Sequence, residues 1–89
     1  MPSISLSKTF RRRCEKSQPD LVAQAQAALS KFVSNPHQHS LNFEKVKGRA
    51  DYHTIRVNGG DRLVLRKTGK DSYDVIDFGS HTYIYNSYG

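Results

Sequence analysis

The residues of this chain that can move protons and hold anions fall mostly in its second half. His81 follows directly on an apolar run, Tyr73-Asp74-Val75-Ile76-Asp77-Phe78-Gly79, and is itself followed by Tyr83 and Tyr85; Arg56, Arg62 and Arg66 lie upstream. Histidine has an ordinary pKa of about 6.5, so an imidazole can give or take a proton near neutral pH. A guanidinium stays charged and can grip two oxygens at once. Such a set suits acid–base chemistry on a polyanion, and nucleic acid is the polyanion that also rewards neighbouring tyrosines, since bases stack on them.

The overall charge agrees. Fourteen Lys and Arg against eight Asp and Glu give +6, a surplus that favours anionic partners on so small a surface. A length of 89 residues allows one domain, residues 1–89, around one core. No run is long enough for a spanning helix, and residues 1–10 lack a signal-like apolar stretch, so no membrane partner and a cytoplasmic location are expected. The single Cys14 cannot form an internal disulfide or a multi-cysteine zinc site. No metal and no cofactor are expected.

These side chains need elements to position them. Ile4-Ser5-Leu6 alternates like a short strand, and Ser7 can cap a helix running to Lys16 with Phe10 and Cys14 on its buried side. Pro19 opens a second helix, in which Val22, Ala25, Leu29, Phe32 and Val33 recur at helical spacing. Asn35-Pro36 closes it. His37 to Lys47 reads as a loop with one extended stretch near Leu41–Phe43. Strands at Tyr52–Asn58 and Arg62–Lys67 flank Asn58-Gly59-Gly60-Asp61, a hairpin signal, and Thr68-Gly69-Lys70-Asp71 turns into a last strand, Tyr73–Gly79. The expected fold is α+β: a two-layer β-α-α-β-β-β with two N-terminal helices packed on an antiparallel sheet.

Strand alternation sorts the faces. Ile55, Val57, Leu63, Leu65, Ile76 and Phe78 share the parity that packs under the helices. The other parity carries Tyr52, Thr54, Arg56, Arg62, Val64, Arg66, Tyr73, Val75, Asp77 and, if the last strand runs on, His81. A helix-free face presenting Arg56, Arg62, Arg66 and His81 together is therefore expected; its bland alternative is an ordinary solvated sheet face.

The order of elements, the run Leu41-Asn42-Phe43-Glu44-Lys45-Val46-Lys47-Gly48, the strands Tyr52–Asn58 and Asp61–Leu65, and the ending Phe78-Gly79-Ser80-His81-Thr82-Tyr83-Ile84-Tyr85 resemble the RelE/ParE superfamily of toxins from type II toxin–antitoxin pairs. The likeness spans Ile4 to Tyr85 and is greatest to members that cut messenger RNA on the ribosome, of the RelE, YoeB, YafQ and HigB types. The resemblance implies a RelE-like microbial RNase fold, a cognate antitoxin with an acidic segment, and mRNA and the ribosome as partners. It also implies roles. Arg62 occupies the phosphate-binding position, and His81 matches the histidine subtype of the general acid. Tyr83 or Tyr85 matches the aromatic that stacks on a base. Glu44, with a one-residue gap, resembles the glutamate base of the YoeB type. Positions that supply lysine charge in the RelE type read His53 and Arg56 here, leaving His53 as base or spectator. Lys45 and Lys47 join the RNA-binding set.

RNA can be cut by its own 2′-hydroxyl, which requires a base at that oxygen, a cation at the non-bridging oxygens and an acid at the leaving oxygen. Arg56 and Arg62 suit the phosphate and His81 the acid. Arg11-Arg12-Arg13 either grips ribosomal RNA phosphates or is a plain charged helix surface. His37 and His39 form an H-x-H pair with no further ligands to complete a metal site. Asp77 is read as a structural ion-pair partner, with orientation of His81 as its alternative. Two other functions remain open from sequence: a ParE-like toxin that blocks DNA gyrase by binding, and an RNA-binding relative without activity.

Overall fold

The computed structural model describes residues 2–88. The elements run β1 (Ser3–Leu6), α1 (Lys8–Lys16), α2 (Pro19–Ser34), a 3-10 turn (His39–Leu41), β2 (Glu44–Lys45), β3 (Tyr52–Arg56), β4 (Asp61–Gly69), β5 (Ser72–Ser80) and α3 (His81–Tyr88). Local chemistry sets the first boundaries. The Ser7 hydroxyl accepts from the Phe10 amide at 3.1 Å, capping α1, and donates to Ile76 O at 3.2 Å, so the cap also ties the helix to β5. Pro19 stands in the first turn of α2, and the Asn35 amide ends that helix on Lys31 O. The extended stretch expected near Leu41–Phe43 is instead a 3-10 turn closed by Asn42 in the left-handed region, followed by the two-residue β2.

The sheet has the order β1-β5-β4-β3-β2. It is mixed: β1 runs parallel to β5 while the other pairs are antiparallel, which corrects the wholly antiparallel sheet expected from sequence. The turns between β3, β4 and β5 force antiparallel neighbours, but β1 has no hairpin partner and is free to pair with the distant β5. Beyond Leu6 the chain enters α1, which lies against β5 and brings Phe10 onto Phe78 with ring centroids 5.5 Å apart.

Under α1 and α2 sits one apolar cluster: Phe10, Ala25, Ala28, Leu29, Phe32, Leu41, Ile55, Leu63, Leu65, Tyr73, Val75 and Phe78, with Cys14 packed at its margin. Burying each large member contributes roughly 1.5–3 kcal/mol. The expected parity holds for β3 and β4 and fails in the first half of β5. Val64 pairs with Asp77 but Leu65 pairs with Val75, so Ile76 is an extra, bulged residue. The bulge exchanges the faces upstream of it. Tyr73 and Val75 turn into the core, and Ile76, expected there, is half-buried outside the cluster.

The other face is not free of helices. The chain does not continue as a strand past Ser80; it turns into α3, whose Ile84 is 1% exposed and lies with Thr54, Val64 and Asp77 at 0–2% exposure. The sheet thus carries helices on both sides. No helix among the described residues is long and apolar enough to cross a membrane.

Candidate active site

The β3–β4 turn organises one end of the sheet. Asn58 Oδ1 accepts from the amides of Gly60 (2.8 Å) and Asp61 (3.0 Å), which shapes the turn. Asn58 Nδ2 donates to Gln24 Oε1 at 2.7 Å and so ties the turn to α2. The carbonyl oxygen of the same residue draws in two cations: Arg62 Nη1 at 3.0 Å and Arg56 Nε at 3.4 Å. Arg62 Nη1 also donates to Asp61 O at 3.0 Å. Arg56 and Arg62 are direct cross-strand partners, and the next rung pairs Arg62 with Gly79. Like charges opposite one another repel, and neutral carbonyls offset only part of that. An anion would relieve the rest.

His81 is the next element of this end. Ser80 pairs with Asp61, and the His81 amide donates to Gly60 O at 2.8 Å, fastening the first residue of α3 to the turn. The Ser80 hydroxyl accepts from the Tyr83 amide at 3.2 Å, the bond of an N-terminal cap. The His81 ring is exposed and leans on Tyr85, one turn along, with centroids 4.5 Å apart. Arg56, Arg62, His81 and Tyr85 therefore gather around one turn, two of them on strands and two on a helix.

Glu44 stands at the sheet edge, exposed and paired with Thr54, hence on the same face as Thr54 and Arg56. Arg56 lies two residues further along β3, about 7 Å at the usual strand rise. Lys45 pairs with His53 on the opposite parity. Lys47 is exposed in the following turn, where Gly48 adopts φ +81°, a conformation that favours glycine.

Several expected site residues lie elsewhere. Arg66 is at the far end of β4, where its guanidinium meets Asp74 at 3.3 Å; it is not with Arg62 and His81, because it stands four positions along the strand from Arg62. His53 points to the α2 side, stacked on Phe43 at 5.0 Å and edge-on to Tyr73 at 5.9 Å. Burial lowers its pKa, helped by the charges of Lys67 and Lys45 and opposed by Asp51. Arg11 and Arg12 are exposed on α1.

Arg13 and Tyr83 belong to a hub under α3. Asp77 has a fully buried carboxylate that accepts from Arg13 Nε (3.2 Å), Tyr83 OH (2.7 Å), Tyr88 OH (2.9 Å) and the Phe78 amide (2.9 Å). Arg13 Nη2 donates to Tyr83 OH at 2.6 Å, and the Arg13 guanidinium lies 4.7 Å from the centre of the Tyr83 ring. Burial opposes the charge of Arg13, but Asp77 outweighs it and raises the pKa. The hydrogen bond to Asp77, then burial, raises that of Tyr83; burial, then Asp77, raises that of Tyr88. Asp77 was legible as an ion-pair partner from its place in an apolar strand. Tyr88 and Arg13 as its partners were not: Arg13 lies 64 positions away, and Tyr88, 11 positions on, reaches Asp77 only because the chain turns into α3.

The fold and this basic turn define a small α+β domain with one anion-attracting end. Residues 19–86 match the model of the ParE-like toxin domain, and the chain belongs to that family. Solved structures share its fold. A YoeB/ParE toxin from Agrobacterium tumefaciens superposes with TM-score 0.71 at 18% identity, covering 89% of this chain and 98% of that one. YafQ from E. coli strain BL21(DE3) gives TM-score 0.74 at 12% identity, covering 96% and 99%. A chain of the RelB–RelE antitoxin–toxin complex from Methanococcus jannaschii gives 0.71 at 19%, covering 94% and 98%. Comparison with curated proteins found no significant match.

Proposed function

We propose that the protein is the toxin of a toxin–antitoxin pair and cuts messenger RNA on the ribosome without a metal. The observation that carries this reading is the convergence of Arg56 and Arg62 on one carbonyl oxygen beside the turn that holds His81. An RNA phosphate brought to that turn replaces the carbonyl as acceptor, and two guanidiniums meet the charge that builds on its non-bridging oxygens.

In the reaction, the 2′-oxygen attacks the adjacent phosphorus as its proton passes to a base, and the bond from phosphorus to the 5′-oxygen breaks. His81 gives its proton to that leaving oxygen. The products are a 2′,3′-cyclic phosphate and a 5′-hydroxyl. Glu44 shares the face of Arg56 and is the candidate base, although strand spacing keeps it some distance from His81. Acid and base each contribute roughly 10²- to 10⁴-fold. Tyr85, exposed and already against His81, is free to stack on a base, whereas Tyr83 has its hydroxyl committed to Asp77 and Arg13. Lys45 and Lys47 line the approach along the edge strand, and Arg11 and Arg12 offer phosphate contacts from α1. The net charge of +6 fits RNA and also an antitoxin with an acidic segment; solved relatives include RelE with RelB and YafQ with DinJ. Such a pair acts in the cytoplasm.

The test is induced expression of the wild type, His81→Ala and Arg62→Ala, with primer extension on a reporter mRNA. Growth arrest with cuts at fixed codon positions, lost in both variants, is expected. Arrest with intact mRNA would replace this reading with gyrase inhibition of the ParE type, and no arrest would leave an inactive RNA-binding relative.

A further inference from the structure

Eight residues are too few for a helix to persist in water by itself; about 12–15 are needed even in favourable sequences. The position of α3 must therefore come from what it touches. Among its residues only Ile84 is buried, so apolar packing supplies one fully buried anchor beside the half-buried rings of Tyr83 and Tyr88. The remaining anchors are polar and meet on one carboxylate: Tyr83 and Tyr88 both donate to Asp77 Oδ2, while Arg13 reaches Asp77 Oδ1 from α1. The backbone bond from His81 to Gly60 fixes where α3 begins but leaves its direction open. Direction decides where the imidazole of the first helical residue points.

We infer that Asp77, acting through the hydroxyls of Tyr83 and Tyr88 and braced by Arg13, is the positioning residue that aims His81 at the phosphate held by Arg62. The inference rests on the nuclease reading for its catalytic consequence, though not for its structural one. Geometry around the hub supports it. Asp77 sits on β5 two residues before Gly79, the cross-strand partner of Arg62, so one strand carries both the hub and the rung beside the phosphate site. A Cβ at Gly79 would come within 2.8 Å of the Tyr83 ring, so that ring is seated directly on the strand. With α1, β5 and α3 joined at one buried carboxylate, the first turn of α3 cannot swing without breaking charge-assisted bonds to it.

Tyr88→Phe is the sharpest variant, because it removes one hydroxyl and keeps the ring that lies 5.9 Å from Tyr52. The experiment measures the His81 Cε1–Hε1 resonance by NMR, and kcat and KM for cleavage of ribosome-bound mRNA. The variants are Tyr88→Phe, the double variant Tyr83→Phe/Tyr88→Phe, and Leu29→Ala as a core control far from α3. A positioning role predicts a shifted or broadened His81 resonance in both tyrosine variants. It predicts kcat lowered roughly 10- to 100-fold, the scale of a misplacement near 1 Å, with KM held. Leu29→Ala should do neither while folded. An unchanged His81 resonance and kcat in the double variant would overturn the inference, as would equal effects from Leu29→Ala. If the wild type cuts no RNA, the proposed function fails and the His81 resonance alone decides the positioning claim.

Discussion

Between the sheet and the helices α1 and α2, Phe32, Ile55, Leu63, Leu65, Val75 and Phe78 are wholly buried, and their neighbours in the cluster are apolar. On the face beneath α3 the buried set is Thr54, Val64, Asp77 and Ile84, and the strongest contacts are hydrogen bonds to one carboxylate. The difference follows from the length of what covers each side. A sixteen-residue helix presents four buried side chains, whereas an eight-residue helix presents one. The first face is stabilised by area, which has no preferred direction. The second is stabilised by directional bonds, which suit a helix whose first residue must point at something. Stability and candidate chemistry are thus placed on opposite faces.

Breaking the apolar face gives the largest expected loss of stability. Phe32→Ala should cost about 3–5 kcal/mol by urea unfolding, through lost transfer energy and the cavity left behind. Cleavage per folded molecule should stay near wild type. Asp77→Ala tests the other face and should cost less, roughly 1.5–3 kcal/mol, the scale of bonds to a charged group. The Arg13 side chain it strands is 40% exposed and can turn to water, which places the loss below that of a fully buried pair. Equal losses from the two variants would erase the distinction between the faces. Gly79→Ala sharpens it, since the added methyl must displace the Tyr83 ring or the strand; about 1–3 kcal/mol of overpacking is expected, together with lower activity.

The smallest stability effects separate the reactive end from both faces. His81→Ala should change unfolding free energy by less than about 0.5 kcal/mol, as for exposed residues in general, while cleavage falls. A pH dependence belongs to the apolar face. The pKa of His53 is lowered in the folded state, chiefly by burial, so between the folded and unfolded values the unfolded chain binds more protons. Stability is therefore complete above the ordinary histidine value and falls as pH drops through the folded one. The slope cannot exceed about 1.4 kcal/mol per pH unit, the value for one proton. Urea titrations between pH 7.5 and 5 should show this slope flattened in His53→Phe, and an equal slope in both proteins would assign the proton to another group.

Periodicity, caps and turn residues determined much of this molecule from sequence alone. Alternation in β3 and β4 placed Ile55, Leu63 and Leu65 inside and Arg56 and Arg62 outside. Ser7 and Pro19 started two helices, and Asn58-Gly59-Gly60-Asp61 set the hairpin that brings the two arginines together. Each of these rests on interactions within a few residues, so the chain carries them wherever it goes. Tertiary structure decided the rest. The bulge at Ile76 turned Tyr73 and Val75 inward, where Phe32 of α2 meets the Tyr73 ring edge-on at 5.2 Å. Residues 81–88, which alternate too weakly to fix a period, became a helix because Asp77 and Val64 needed cover. Arg66 went to Asp74, and Arg13 and Tyr83 went to Asp77, by proximity across the fold. Arg13 and Asp77 are 64 positions apart and leave no local pattern, and even the nearer pairs depend on the hairpin between β4 and β5 and on the turn into α3, which only the folded chain completes.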